Sequence, residues 1–113
     1  MDTEATPVHP RFTLATTVVV REGTGAAVLA QVRNISLSGC YLETPRQVPE
    51  GDRVRVDLRM ADIHADVFGI VQRRDATGIG IRFTHGATVE DWKRLEAFIK
   101  KLQESVPAKG AAV

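Results

Sequence analysis

Arg53-Val54-Arg55-Val56-Asp57-Leu58-Arg59-Met60 alternates charged and apolar side chains at every position. Successive side chains of a strand leave opposite faces. Val54, Val56, Leu58 and Met60 therefore share one face, and Arg53, Arg55, Asp57 and Arg59 the other. Such a strand has one wall on a core and one in water. The same period continues outward. Ile63 to Arg73 is a further strand, with Gly69 marking a bulge or bend. Asp75-Ala76-Thr77-Gly78 turns the chain, and Ile79, Ile81 and Phe83 alternate against Gly80 and Arg82 as the last strand, with Arg82 pointing outward. Upstream, the β-branched run Phe12 to Val20 is a strand, Glu22 to Gly25 a hairpin turn, and Ala26 to Arg33 a second strand. Asn34 to Gly39 has turn chemistry, Cys40 to Thr44 is a short strand, and Pro45 to Asp52 is a loop.

After Phe83 the period changes. Thr88-Val89-Glu90-Asp91 has the form of a capping box, with Thr88 placed to accept from the amide of Asp91. Trp92, Leu95, Ile99, Leu102 and Val106 follow at helical spacing. Lys100 and Lys101 fall in the last turns, where they complement the helix dipole, and Pro107 and Gly110 end the helix. The pattern predicts a flexible arm over 1–8, a barrel plus C-terminal helix over 9–104 and a disordered tail over 105–113. The fold class is all-β with a C-terminal helix: a small six-stranded antiparallel barrel, closed so that no strand edge stays unpaired. The helix is expected to cover one opening of the barrel or to pack on a partner.

The 113 residues amount to one domain. A 43% hydrophobic content is enough for one core. The formal charge is +1, which disfavours sequence-independent nucleic-acid binding, since that needs a clear basic excess. Eleven arginines stand against four lysines, a skew toward the side chain that forks onto phosphate or guanine. Cys40 is the one cysteine, so neither an internal disulfide nor a cysteine-based zinc site can form. No apolar run is long enough to span a bilayer, and Met1 to Arg11 lacks the apolar core of a signal peptide. The expected compartment is the cytoplasm.

Catalytic chemistry is thin. His9, His64 and His85 lie far apart, with no metal-ligand spacing. Ser36 and Ser38 lack the surroundings of a nucleophile elbow. Gly78-Ile79-Gly80 is a lone GxG. These features point away from an enzyme, a metal site and a bound cofactor. Asn34-Ile35-Ser36-Leu37-Ser38-Gly39 is richer. The amide of Asn34 offers a donor and an acceptor, matching a guanine edge. Ser36 can bond a phosphate or nearby backbone. Gly39 permits a positive φ or a close approach. On spacing alone, a hairpin turn with its own internal hydrogen bonds accounts for the same residues.

Asn34-x-Ser36-x-x-Gly39 resembles the [D/N]-x-S-x-x-G motif of PilZ domains. As in that family, an apolar strand, a Pro/Gly loop at Pro49-Glu50-Gly51-Asp52, an R-V-R-V strand, a Gly80-Ile81-Arg82-Phe83 strand and a C-terminal helix follow it in order. The likeness covers about residues 9 to 104. It implies a six-stranded antiparallel β-barrel that receives the bacterial second messenger cyclic di-GMP and acts, without catalysis, through a downstream protein partner in motility, biofilm or polysaccharide control. The implied ligand-binding residues are Arg11, Asn34, Ser36 and Gly39, with His9, Arg33 and Arg82 as further candidates.

The family's second element is R-x-x-x-R before the first strand. Arg11 fits its second arginine, but four positions earlier the chain has Pro7. A hydrogen bond to a charged group contributes about 1.5–3 kcal/mol, so one missing arginine weakens binding roughly tenfold to more than a hundredfold. Three functions follow. The first is a cyclic di-GMP receptor whose arm folds over the ligand and creates a docking surface. The second is a PilZ-like adaptor that binds no nucleotide, with Trp92, Leu95, Ile99 and Leu102 in a homodimer or partner interface. The third, ranked last on 5% aromatics and the +1 charge, is a small barrel that binds nucleic acid.

Overall fold

The computed structural model describes residues 12–22, 25–46, 48–60 and 63–105. Six strands and one helix run in the order β1 (Phe12–Glu22), β2 (Ala27–Ile35), β3 (Gly39–Glu43), β4 (Arg53–Met60), β5 (Ile63–Arg74), β6 (Gly78–Gly86) and α1 (Val89–Ser105). Every pairing is antiparallel, and the strands close into a barrel in the order β1-β2-β3-β6-β5-β4, with β4 returning to β1. The closing pairs join Val19–Glu22 of β1 to Val54–Asp57 of β4, and closure of this kind leaves less strand edge to protect.

Alternation sends one residue class inward, as β4 foretells. Val54, Val56 and Leu58 are buried, while Arg53 and Arg59 are exposed. Arg55 is ion-paired to Asp66, and Arg59 to Asp57 at 2.9 Å. The core adds Val18 and Val20, Ala30 and Val32, Cys40 and Leu42, Ala65, Val67 and Val71, and Ile79, Ile81 and Phe83. Filling the barrel with such side chains contributes about 1.5–3 kcal/mol for each large one.

The helix packs on β5 and β6 through Leu95, Phe98 and Ile99, with Trp92 and Leu102 partly buried beside them. Phe98 joins the stripe that the spacing of Trp92, Leu95, Ile99 and Leu102 marks out. The capping box is complete in both directions. Thr88 Oγ1 accepts from the Asp91 amide at 3.0 Å, and Asp91 Oδ2 accepts from the Thr88 amide at 3.1 Å. Asp91 Oδ1 also accepts from the Asp66 amide at 3.1 Å, which ties the helix start to β5.

Several boundaries depart from expectation. β1 runs on to Glu22, and β2 takes in Asn34 and Ile35, which the turn chemistry had assigned to a loop. The helix ends at Ser105 with no basic residue in its last turn, so Lys100 and Lys101 stand just before that turn rather than in it. Val106, the arm over 1–8 and most of the tail lie outside the described residues. No described helix is long and apolar enough to cross a membrane.

Candidate functional site

Two irregularities in the sheet assemble the site. Between β2 and β3 the pairing passes from Val32 with Leu42 to Asn34 with Tyr41, leaving Arg33 as an extra residue. Strict alternation from the buried Val32 would turn Asn34 inward. The bulge resets the phase, so Ile35 is buried instead and Asn34 stays half-exposed on the outer wall. Between β5 and β6 the pairing passes from Val71 with Ile81 to Arg73 with Gly80, leaving Gln72 extra. Arg73, which alternation from Val71 would send inward, is exposed for the same reason.

The consequence is a row of paired residues across five strands. Thr13 pairs with Asn34, Asn34 with Tyr41, Tyr41 with Gly80 and Gly80 with Arg73. Asn34, Tyr41, Gln72, Arg73 and Gly80 line a small cleft of about 150 Å³, with Cys40 and Ile81 at its base. A ligand group would lie across it rather than inside it.

The Asn34–Gly39 segment leads from the row into β3. Ser36 is buried, and its hydroxyl accepts from the amides of Ser38 at 3.1 Å and Gly39 at 3.3 Å. The Ser36 amide donates to the Gly39 carbonyl at 2.8 Å, closing the turn. Gly39 does not have the positive φ that its sequence position allowed. It is glycine because of a close approach: a Cβ there would stand 2.0 Å from the carbonyl oxygen of Ile81. Ser36 and Gly39 thus hold the turn in shape, and Asn34 presents its amide from the wall beside it.

Opposite Asn34, Tyr41 is clasped by the β5–β6 turn. Its hydroxyl donates to Asp75 Oδ1 at 2.7 Å and lies 2.6 Å from Thr77 Oγ1. Asp75 also accepts from the amides of Thr77 and Gly78 at 2.9 and 3.0 Å. The bond from Tyr41, followed by those amides, lowers the Asp75 carboxyl to about 2. The Tyr41 hydroxyl is raised, first by partial desolvation, with Asp75 adding to the shift. The Arg73 guanidinium stands 6.0 Å from the centre of the Tyr41 ring, a cation–π distance.

Of the residues named from sequence, Asn34, Ser36 and Gly39 come together here. Arg82 is exposed on β6 as expected and pairs with Gly39. Arg33, a further ligand-binding candidate, is the extra residue of the β2–β3 bulge and is ion-paired with Glu43, its Nε donating at 2.6 Å. That ion pair is exposed, and such pairs contribute only about 0–1 kcal/mol. His9 and Arg11 lie outside the described residues. Tyr41, Gln72 and Arg73 went unremarked in the sequence because the bulge that places Arg73 leaves no local pattern. Larger clefts lie along β5, β6 and the helix start: about 410 Å³ around Phe68, Ile70 and His85, and about 750 Å³ around His85, Val89 and Trp92. Volume favours them. The chemistry favours the smaller cleft, where an amide, a phenol ring and a guanidinium converge. Among the described residues no group of acids, histidines or cysteines could hold a metal.

The fold has solved counterparts. It is similar to the Klebsiella pneumoniae protein MrkH in a complex with c-di-GMP, with a TM-score of 0.71 and 18% identity over 92% of this chain and 55% of that one. A second structure of MrkH, described as a c-di-GMP-dependent transcription regulatory factor, gives a TM-score of 0.64 at 18% identity over 83% of this chain and 49% of that one. YcgR from Escherichia coli in complex with c-di-GMP gives a TM-score of 0.60 at 16% identity over 93% of this chain and 49% of that one. The chain thus spans about half the length of these proteins. No curated protein matches it. The sequence model of the PilZ domain matches residues 8–101, and with the closed six-stranded barrel and its C-terminal helix this establishes that the chain belongs to the PilZ domain family.

Proposed function

We propose that the protein is a receptor module for cyclic di-GMP, bound on the outer wall of the barrel along the row that contains Asn34. The observation that carries this is the row itself. Two bulges turn Asn34 and Arg73 outward onto one wall, beside the Asn34–Gly39 turn, in a barrel like those described in complex with c-di-GMP. The ligand has guanine edges and phosphates, and the wall offers an amide and guanidinium groups to match them. On this reading Arg11, two residues before Thr13 in the sequence, contacts the ligand from the β1 end. Asn34 pairs with a base edge, while Ser36 and Gly39 shape the turn. The module acts without catalysis, in the cytoplasm, by passing the bound state to a protein partner in motility, biofilm or polysaccharide control. Isothermal titration at physiological salt tests it. Saturable heat at micromolar ligand, lost in Asn34→Ala and largely lost in Arg11→Ala, is expected; no heat at high micromolar ligand refutes it.

Pro7 favours a second reading, an adaptor that needs no nucleotide. Capture of a partner that ignores added cyclic di-GMP would support the adaptor, and ligand-dependent capture would remove it.

A further inference from the structure

Position 7 is proline where the family pattern has its first arginine. The wall holds another guanidinium at the opposite end of the same row. Three features aim Arg73 there. The bulge at Gln72 rotates it from the core side to the outer side. Gly80, its cross-strand partner, leaves the surface bare: a Cβ at position 80 would lie 3.2 Å from both Cγ and Nε of Arg73, so the side chain lies flat across the glycine. The Tyr41 ring, itself fixed by Asp75 and Thr77, then meets the guanidinium at 6.0 Å. Arg73 makes no ion pair with a carboxylate among the described residues, and it lines the cleft together with Asn34 and Tyr41. Three strand-to-strand steps separate Asn34 from Arg73, roughly 14 Å at about 4.8 Å per step. A ligand with two bases and two phosphates can bridge that span.

We propose that Arg73 is a ligand-contacting residue of this site, supplying the guanidinium that the arm lacks at position 7. The proposal rests on the assignment of the row as the cyclic di-GMP site. A planar fork suits either pair of acceptors that the ligand offers, guanine N7 with O6 or two phosphate oxygens. The cation–π contact with Tyr41 restrains that fork before the ligand arrives, which lowers the ordering cost of binding.

The test is isothermal titration of cyclic di-GMP into wild type, Asn34→Ala, Arg73→Ala, Arg73→Gln, Arg73→Lys and the double variant Pro7→Arg/Arg73→Ala, with thermal melts of each. Arg73→Ala is expected to weaken binding about ten- to a hundredfold. Arg73→Lys, which keeps the charge but loses the fork, recovers little of that, and Pro7→Arg recovers most of it. Arg73→Gln carries the test if the alanine variant fails to fold. Cyclic di-AMP distinguishes the acceptors, since it keeps the phosphates and lacks O6. A guanine contact makes Arg73→Ala lose discrimination between the two dinucleotides, and a phosphate contact makes it lose affinity for both. If Asn34→Ala abolishes binding while Arg73→Ala and Arg73→Gln bind like wild type, the role of Arg73 is overturned and the site assignment stands. If neither wild type nor Pro7→Arg/Arg73→Ala binds cyclic di-GMP, the site assignment fails and the role of Arg73 with it.

Discussion

Gly39 shows how a motif residue can owe its identity to a neighbouring strand. Its nearest obstacle is backbone, the Ile81 carbonyl on β6, and backbone cannot swing aside as a side-chain tip can. Gly39→Ala should therefore part β3 from β6 and destabilise the fold by about 1–3 kcal/mol, the usual cost of overpacking, read as a lower urea midpoint at unchanged slope. Asp75 is a second residue with a local reading. Its carboxyl sits at about 2, well below the usual carboxylate range, because the Tyr41 hydroxyl and two backbone amides stabilise the charged form. A depressed carboxylate contributes stability that is present above its unfolded pKa and is lost as pH falls through the folded value. The Tyr41 clasp should thus be intact throughout the neutral range and down to about pH 4, loosening only toward pH 2. An NMR titration of the carboxyl carbon should show a midpoint near 2 in wild type and a clear rise in Tyr41→Phe; an unchanged midpoint would contradict the Tyr41 bond as its main cause.

Among the elements, the helix has a start that the side chains of Thr88 and Asp91 hold. Asp91 serves both the capping box and the tether to β5, whereas Thr88 serves the cap alone. Loss of an N-cap costs about 0.5–2 kcal/mol, so Thr88→Ala should fall in that range and Asp91→Ala should exceed it, as chemical denaturation will measure. Equal losses would mean that the tether adds nothing. The Asp91 carboxyl is lowered although partial burial works against its charge, because the Thr88 hydroxyl and the Asp66 and Thr88 amides outweigh burial. Its contribution is accordingly held at neutral pH and lost in acid. Strand β2 illustrates the opposite situation. Its sequence names Asn34 as a turn residue, but hydrogen bonding to both β1 and β3 extends the strand through Asn34 and Ile35. Pairing on two sides overrides local turn preference, since each paired backbone group would otherwise need another partner.

At the scale of the molecule, the closed barrel couples every strand to every other. Leu42 is fully buried at its centre. Leu42→Ala should cost about 2–5 kcal/mol, from lost burial and the cavity left behind, and should lower the thermal midpoint without splitting the transition. Two separate transitions would show that the strands do not form one cooperative unit. Cys40 shares that core, so its thiol should react with a dithiobenzoate reagent only as fast as the barrel opens.

The elements and the family are legible along the chain alone. Alternation in Arg53–Met60 and Ile79–Phe83, the helical spacing of Trp92, Leu95, Ile99 and Leu102, and the Asn34-x-Ser36-x-x-Gly39 turn are each carried by neighbours along the chain, where periodicity and turn chemistry operate. Which residues share the outer wall depends instead on how the strands pair. Asn34 and Arg73 lie far apart in sequence and meet along one row only because a single extra residue in β2 and another in β5 shift the register. A bulge is fixed by how two strands pair, and pairing is a property of the closed sheet rather than of either strand alone.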